Sequence, residues 1–307
     1  MSAQAAALLP EGAVVAFVDL EATLVRIRER RRMRALTATV VVIGEAARLP
    51  DAAAALDRVG ETGGVRTILI SEGEESTPTV RVTDDSIALL GLAPRFHDNA
   101  VAALRLSSLP TVVWWRGGAL DALEGVADLA DRLVLDVDDP AEVWRRAIAH
   151  IERTALTDLR WTRLTRWRAL LAHLFDLPDV RARAATVRRL TIDGADPASA
   201  KLFAGWLRSS LRWTNGTAID LRRSAGEGAL PLESVTLSAD DLEIALHVRP
   251  SRTCLEASVR GGNIAPVSRV VPLGDSALRA LISEELGVRA RDTAFERALA
   301  AALEMPA

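Results

Sequence analysis

Tryptophan and arginine are concentrated in residues 157–168, which read TDLRWTRLTRWR. Arginine stacks on indole rings and donates paired hydrogen bonds to carboxylates, so such clusters suit protein interfaces. On a helix, Leu164 and Trp167 would share one face, with the arginines beside it and Asp158 capping the helix or pairing with an arginine. Two alternatives stay open: tryptophans in the core with solvated arginines, or stacking on nucleic-acid bases. We predict a partner-binding surface formed by Asp158, Trp161, Arg163, Arg166, Trp167 and Arg168.

A second segment, Trp114-Trp115-Arg116-Gly117-Gly118, lies where a predicted strand ends. A glycine pair at this place can turn backbone N–H groups toward an anion, and the arginine would add a positive charge. These five residues are therefore the candidate lining of a ligand pocket, with a phosphosugar as the ligand. The alternative is an ordinary turn that binds nothing.

The phosphate-binding loops of nucleotide enzymes are missing from the sequence. A dinucleotide loop needs three spaced glycines after a strand, but residues 44–48 read GEAAR and residues 72–75 read EGEE. The single lysine, Lys201, follows an alanine instead of the glycine of a Walker loop. The sequence therefore predicts no nucleotide cofactor held by either loop.

Other catalytic residue types are few and scattered. The four histidines lie far apart and form no metal-ligand pair at helical spacing. The single cysteine, Cys254, excludes an internal disulfide and a zinc site built from cysteines. We predict no catalytic residue, no metal and no cofactor, and hence a protein that is not an enzyme.

Charge and hydropathy restrict the partners and the location. The chain has 38 basic and 41 acidic residues, a net charge of −3, and nucleic-acid binders usually carry a basic excess. No apolar run approaches the ~18 residues of a spanning helix, and the first residues lack the basic start of a signal peptide. We expect a cytoplasmic protein that binds neither nucleic acid nor membrane.

The first half of the chain alternates strand-like and helix-like segments. Short apolar runs predict strands at residues 39–43, 67–71, 107–115 and 133–137, and residues 79–92 predict a hairpin that turns at Asp84–Asp85. Helices are predicted at residues 17–36, 51–59 and 120–132, and from residue 139 to about residue 154. This order predicts a Rossmann-like, mainly parallel sheet with helices.

The second half begins with a helix at residues 164–174, after which most segments are strand-like. Alternating apolar and polar residues predict strands at residues 187–192, 218–222, 234–237, 242–249, 253–260 and 267–271. Helices are predicted at residues 196–211, 276–286 and 292–303. We therefore predict an α/β chain of two domains: a Rossmann-like α/β domain at residues 1–155, and at residues 156–307 a helical segment plus an α+β domain with an antiparallel sheet.

Three tryptophan-containing stretches together resemble a known family. They are LPTVVWWRG at residues 109–117, TDLRWTRLTRWRALLAHLFD at residues 157–176 and LFAGWLRSSL at residues 202–211. In order and spacing they are similar to the OpcA family, the glucose-6-phosphate dehydrogenase assembly proteins of cyanobacteria and actinobacteria. Cyanobacterial members are associated with redox control through paired cysteines, but Cys254 has no partner in this chain.

The resemblance implies a function that the residues alone do not. It implies a non-catalytic protein that binds glucose-6-phosphate dehydrogenase, promotes its active oligomer or activates it allosterically, and so supports NADPH production in the oxidative pentose phosphate pathway. The alternative is a phosphosugar-binding sensor or enzyme that uses a pocket at the strand exits near Trp115.

Overall fold

The computed structural model describes residues 13–16, 36–59, 64–75, 78–83, 86–213, 216–224, 230–261, 266–288 and 290–306. The helix predicted at residues 17–36 lies outside these ranges except for Leu36, which begins a strand, and the predicted turn at Asp84–Asp85 also lies outside them. By their contacts the residues divide into two compact units, the first within Met1–Leu159 and Ala277–Arg291, the second within Arg160–Ser276 and Asp292–Ala307. The predicted domain boundary after residue 155 stays a prediction, which limited proteolysis would test.

The first unit is built around an eight-stranded sheet with the spatial order β1-β4-β5-β3-β2-β6-β7-β8. The six strands from β5 to β8 are parallel, while β4 and β1 are added antiparallel at one edge. Numbered among themselves, the parallel strands follow the order 3-2-1-4-5-6 of doubly wound dinucleotide-binding folds. The predicted Rossmann-like sheet and the hairpin at residues 79–92 are confirmed. The strands are β1 (Ala13–Val15), β2 (Leu36–Gly44), β3 (Gly64–Glu75), β4 (Thr79–Val82), β5 (Ser86–Leu92), β6 (Thr111–Trp115), β7 (Arg132–Leu135) and β8 (Ala155–Asp158).

Helices cover both faces of this sheet, which explains why its central strands are continuously apolar. Val40, Val41 and Val42 in β2 have no exposed surface, so neighbouring side chains that point to opposite faces are both buried. The described helices of both units are α1 (Leu49–Val59), α2 (His97–Leu104), α3 (Leu120–Ala127), α4 (Ala141–Ala147), α5 (Leu159–Arg163), α6 (Thr165–Phe175), α7 (Pro178–Ala182), α8 (Pro197–Ser210), α9 (Leu278–Gly287) and α10 (Thr293–Leu303). Of these, α9 contacts α1 and contributes Leu281 and Ile282 to the core of the first unit.

Two helix predictions in the first unit were too long. The helix predicted at residues 120–132 ends at Ala127, and Arg132 begins β7. The helix predicted from residue 139 to about residue 154 is α4 followed by a short 3-10 turn at Ile148–His150. Ala155–Asp158 form β8, a buried strand paired with β7 that the sequence did not indicate. Four residues are too few to show a period of two against the helical pattern on either side.

The second unit contains a six-stranded sheet with the spatial order β10-β9-β11-β12-β13-β14. All six predicted strands are present, and the pairings are antiparallel except for β9 with β10, which is parallel. A parallel neighbour needs a crossover, and α8 lies between these two strands in the chain and contacts both. The strands are β9 (Arg189–Gly194), β10 (Ala218–Arg223), β11 (Ser234–Ser238), β12 (Leu242–Val248), β13 (Cys254–Gly261) and β14 (Val267–Pro272).

The two faces of this second sheet differ sharply in burial. One face is apolar and buried, with Ile192, Val235, Ile244 and Leu246 at 0% exposure. Side chains on the other face are half-buried or exposed. We call this the open face; by the strand register it carries Arg189, Thr191, Asp193, Ala218, Asp220, Arg222, Ser234, Thr236, Ser238, Glu243, Ala245, His247, Glu256, Ser258, Arg260, Ser268 and Val270.

Candidate functional site

The carboxyl edge of the first sheet is where a doubly wound fold holds its ligand. The crevice of such folds lies at the point where the strand order reverses, here between the ends of β2 and β6. Residues 45–48 follow β2 and residues 116–119 follow β6, so the second candidate segment, Trp114–Gly118, spans the end of β6 and the loop after it at this edge.

The Arg116 side chain lies between the ends of β2 and β6, where the strand order reverses. Its side chain is only 4% exposed, and its Nε donates to Asp136 Oδ2 at 2.9 Å while its Nη2 donates to Asp51 Oδ2 at 3.1 Å. Asp51 lies in the first turn of α1, and Asp136 directly follows β7, so three elements converge on one guanidinium. Burial alone would lower the pKa of Arg116, but the hydrogen bond to Asp51 and the charge of Asp136 raise it above its ordinary value. Arg116 is thus a fixed positive charge that two carboxylates already neutralise.

The backbone at this edge is also packed against the Arg116 side chain. A Cβ atom on Gly44, the last residue of β2, would lie only 3.1 Å from Arg116 Cβ. Gly117 and Gly118 have φ angles of 131° and 129°, which favour glycine. They turn the chain so that the Ala119 N–H donates to Glu72 Oε1 at 2.5 Å. The first N–H group after the glycine pair is therefore bound to a carboxylate of the same chain.

The two tryptophans before Arg116 are part of the core. Trp114 and Trp115 have no exposed surface, and the Arg116 guanidinium lies 5.0 Å from the centre of the Trp114 ring. Within the part of the chain that the structure describes, the indole Nε1 atoms of both residues have no hydrogen-bond partner. A cleft of about 350 Å³ lies nearby, and its lining includes Arg95, Asp98 and Ala119.

The Trp–Arg segment at residues 157–168 is held together by one carboxylate. Trp161 is 2% exposed, and its Nε1 donates to Asp292 Oδ2 at 2.7 Å. The other oxygen of Asp292 caps α10 by accepting from the N–H groups of Ala294 and Phe295. The Arg168 guanidinium carbon lies 3.5 Å from the centre of the Trp161 ring. Trp161 thus joins the start of α10 to the α5–α6 segment.

The other candidate residues of that segment lie in different surroundings. Trp167 is 4% exposed. Asp158 has no exposed surface; its Oδ2 accepts a hydrogen bond from Trp144 Nε1 at 2.8 Å in the first unit. Arg163 is half-buried and Arg166 is exposed. Of the six predicted partner-binding residues, these two arginines are therefore the most open to a partner, together with half-buried Arg168.

Sequence reasoning missed the carboxylates that organise both segments. Asp51 lies 65 residues before Arg116, Asp136 lies 20 residues after it, and Asp292 lies 131 residues after Trp161. Asp292 and Asp136 could have been singled out by position, since one precedes a helix and the other ends an apolar strand run. Their partners could not, because those depend on the strand order.

The described residues contain no group of three or more His, Cys, Asp or Glu side chains that could hold a metal ion. None of the helices in the described ranges is long and apolar enough to cross a membrane.

Comparison with known proteins relates the chain to one family. Residues 154–299 match a family model described as the C-terminal domain of the glucose-6-phosphate dehydrogenase subunit. The chain is 26% identical over 218 residues to the OxPP cycle protein OpcA of Synechocystis sp., covering 68% of this chain and 40% of that protein. It is 33% identical over 123 residues to the OpcA protein of Nostoc punctiforme, covering 37% and 26% respectively. The chain thus spans less than half the length of these relatives.

Among solved structures, the super-repressor mutant of Gal80p from Saccharomyces cerevisiae is similar at a TM-score of 0.48 and 8% identity, covering 81% of this chain and 83% of that one. A likeness this distant carries no argument about the site. The sequence matches agree with the three tryptophan stretches: the chain is similar to OpcA proteins, and its residues 154–299 match the C-terminal domain family of the glucose-6-phosphate dehydrogenase subunit.

Proposed function

We propose that this chain is a non-catalytic partner of glucose-6-phosphate dehydrogenase, which it assembles or activates, and that it thereby supports NADPH production in the oxidative pentose phosphate pathway. The observation that carries the proposal is the match of residues 154–299 to the domain family described by that enzyme's name. The named relatives extend the similarity to 68% of the chain.

The closed carboxyl edge of the first sheet supports the non-catalytic part of the proposal. A dinucleotide needs glycines and free N–H groups between β2 and β6, where its pyrophosphate would lie. This chain places Arg116 and two carboxylates there, and Glu72 takes the N–H of Ala119. A hydride-transfer cofactor would have to displace a buried ion-pair cluster before it could bind.

Activation without chemistry needs little binding energy. If the chain binds the active state of the enzyme about tenfold more tightly than the inactive state, the equilibrium between the states shifts by about 1.4 kcal/mol. We place the contact at Arg163 and Arg166, because arginine side chains that reach solvent can pair with carboxylates on a partner. Trp161 and Trp167 are then positioning residues that hold the α5–α6 segment in place.

The experiment is an enzyme assay with purified glucose-6-phosphate dehydrogenase from the same organism. We expect this chain to co-elute with the enzyme and to change its kcat or its KM for glucose 6-phosphate. Arg163→Glu with Arg166→Glu should weaken binding at least tenfold. Arg181→Glu, an exposed charge reversal on α7, is the matched control and should have no effect. Absence of co-elution together with unchanged kinetics would refute the proposal.

The phosphosugar pocket at Trp115–Gly118 stays a prediction, and the site gives it little support. Asp51, Asp136 and Glu72 concentrate negative charge at this edge, which opposes a phosphate. A thermal-shift assay of the isolated chain with glucose 6-phosphate, 6-phosphogluconate and NADP tests it: a saturable rise in Tm would favour a ligand pocket.

A further inference from the structure

Among the residues that the structure describes, one face of the second sheet is buried, and the other, the open face, is half-buried or exposed. Six strands of five to eight residues form the sheet, and the described helices α6 and α8 contact it. Val270 on the open face is 44% exposed and is one of two large apolar side chains with high exposure among the described residues.

A row of small side chains crosses the middle of the open face from β9 to β14, and at the β10 edge it ends in Asp220, which pairs with Arg222 of the same strand at 2.7 Å. Thr236 is in register with Thr191 on one side and with Ala245 on the other, and Ala245 is in register with Ser258. Small residues along this row leave space for a second sheet to pack at the usual separation of about 10 Å.

The charges on either side of this row are arranged in opposite pairs along single strands. In β9, Arg189 lies two residues before the row and Asp193 lies two residues after it. In β12 the corresponding residues are Glu243 and His247, and in β13 they are Arg260 and Glu256. The register places Glu243 and Arg260 side by side, and His247 beside Glu256. Within the chain, Glu256 Oε2 lies 3.7 Å from His247 Nε2 and 3.5 Å from Arg249 Nε, and His247 is a cation only when it is protonated. The two ends of β9 and of β13 carry opposite charges, and those of β12 do so when His247 is protonated.

We propose that the open face is the contact surface of a homodimer of this chain, with the two-fold axis along the row of small residues. Rotation about that axis lays each strand over the same strand of the second copy, with its ends exchanged. Arg189 then faces the second copy's Asp193, Glu243 faces its His247, and Arg260 faces its Glu256. Each of these pairs occurs twice, as symmetry requires of an isologous contact. Asp220 lies on the same row and faces the second copy's Asp220, where the Arg222 bound to each carboxylate at 2.7 Å offsets their repulsion.

Three of these side chains are free to form such pairs. Arg189, Glu243 and Arg260 are exposed and make no ion pair with another residue that the structure describes. A purely acidic or purely basic partner would attract the side chains of opposite charge on this face and repel the others. A second copy satisfies both, which is why we favour it over a purely acidic or basic partner.

The area is sufficient for a specific contact. Six strands about 4.8 Å apart, each rising about 3.3 Å per residue over five residues, give a footprint of roughly 500 Å². Two copies would bury about 1,000 Å² or more, the lower range for a specific interface. Because many contacts are ionic, the dimer should weaken as salt screens them.

The test uses the purified full chain without the enzyme, so that a negative result refutes the dimer and leaves the enzyme-activation proposal untouched. Light scattering after size exclusion should show a dimer in low salt that dissociates as ionic strength rises toward about 0.5 M. Arg260→Glu and Glu256→Arg should each raise the dimer Kd at least tenfold. The double exchange, Arg260→Glu with Glu256→Arg, should bring the Kd back to within about threefold of the parent, since complementarity is restored.

Arg279→Glu, an exposed reversal on α9 outside the open face, is the control and should leave the Kd unchanged. As a second measurement, Ser258→Cys in a Cys254→Ser background should cross-link with a bismaleimide of about 10 Å, because this position lies near the axis. A chain that is monomeric at every concentration in low salt overturns the proposal. So does a dimer that Arg260→Glu leaves intact or that the double exchange fails to restore. A monomer whose Arg260→Glu variant loses the dehydrogenase also overturns it and assigns the face to the enzyme.

Discussion

The two sheets of this protein use their surfaces in different ways. In the first sheet the central strands are buried on both faces, and Arg116 at the carboxyl edge is neutralised by carboxylates of the same unit. In the second sheet one face is buried, while the other carries Arg189, Glu243 and Arg260 exposed to solvent. The carboxylates that hold Arg116 belong to the same unit, whereas Arg189, Glu243 and Arg260 make no ion pair with another residue that the structure describes. On this difference rests our proposal that the second sheet contacts another protein molecule.

The largest effect should come from Arg116→Ala in the first unit. The change leaves the Asp136 carboxylate, 11% exposed, beside Asp51 without their shared guanidinium. Removing one partner of a buried ion pair costs about 3 kcal/mol, and the exposure of Asp51 keeps the loss from being larger. Urea unfolding measures it. Arg48→Ala, whose guanidinium pairs with exposed Asp138, should cost less than about 1 kcal/mol. Equal losses of unfolding free energy in the two variants would show that the Asp51 and Asp136 carboxylates do not hold Arg116 as the structure describes.

A pair of near-isosteric substitutions compares the faces of the two sheets directly. Val41→Thr places a hydroxyl in a strand with no exposed surface and should cost about 2 kcal/mol. Thr236→Val, the reverse change on the open face, should alter the free energy of unfolding of the monomer, measured at about 0.5 M salt where the dimer dissociates, by less than about 0.5 kcal/mol. A loss as large as that of Val41→Thr would show that other parts of the same chain cover Thr236.

Trp161→Phe tests whether the Trp–Arg segment stabilises the second unit from within. The variant keeps an aromatic ring against Phe295 but loses the hydrogen bond to Asp292. A bond to a charged acceptor is worth about 1.5 kcal/mol, so a loss of about 1 to 2 kcal/mol is expected. Trp206→Phe on α8, where the indole is half-buried, should cost less and serves as the control.

The smallest effect is a pH dependence that belongs to the first unit. His97 has no exposed surface, and burial lowers its pKa below the ordinary 6.5, against the opposing influence of the Leu92 carbonyl, Glu72 and Asp98. The unfolded chain therefore binds a proton more readily, so stability is full above pH 6.5 and falls as the pH drops below it. His97→Gln should flatten this slope in urea midpoints between about pH 7.5 and about pH 5. Asn99→Gln, an exposed change on α2 that involves no titratable group, should leave the slope unchanged.

Most of the strands could be predicted from local pattern. The run Thr39–Ile43 is β-branched and continuously apolar, which only a strand buried on both faces explains. The alternation in residues 234–260 likewise predicted strands with one solvated face. These patterns are visible because each residue's burial is determined by its own position in the strand.

The contacts that define the candidate sites could not be predicted in this way. Which carboxylate meets Arg116 depends on the strand order, which brings α1 and the end of β7 to the same place. The strand β8 was hidden because four residues carry too little periodicity. The burial of Trp161 and Trp167 depends on packing against other segments, so the sequence left interface and core equally open.

The path of the chain has a practical consequence. After the second sheet the polypeptide returns to the first unit as α9, whose Leu281 and Ile282 complete that core, and only then supplies α10 to the second. A fragment ending near residue 159 would lack α9 and expose the apolar surface that it covers, and one covering residues 160–276 would lose the cap on which Trp161 depends. We therefore expect truncated fragments of this protein to misfold whether or not they contain the partner-binding residues. Point substitutions in the full chain are the sounder way to map its contacts.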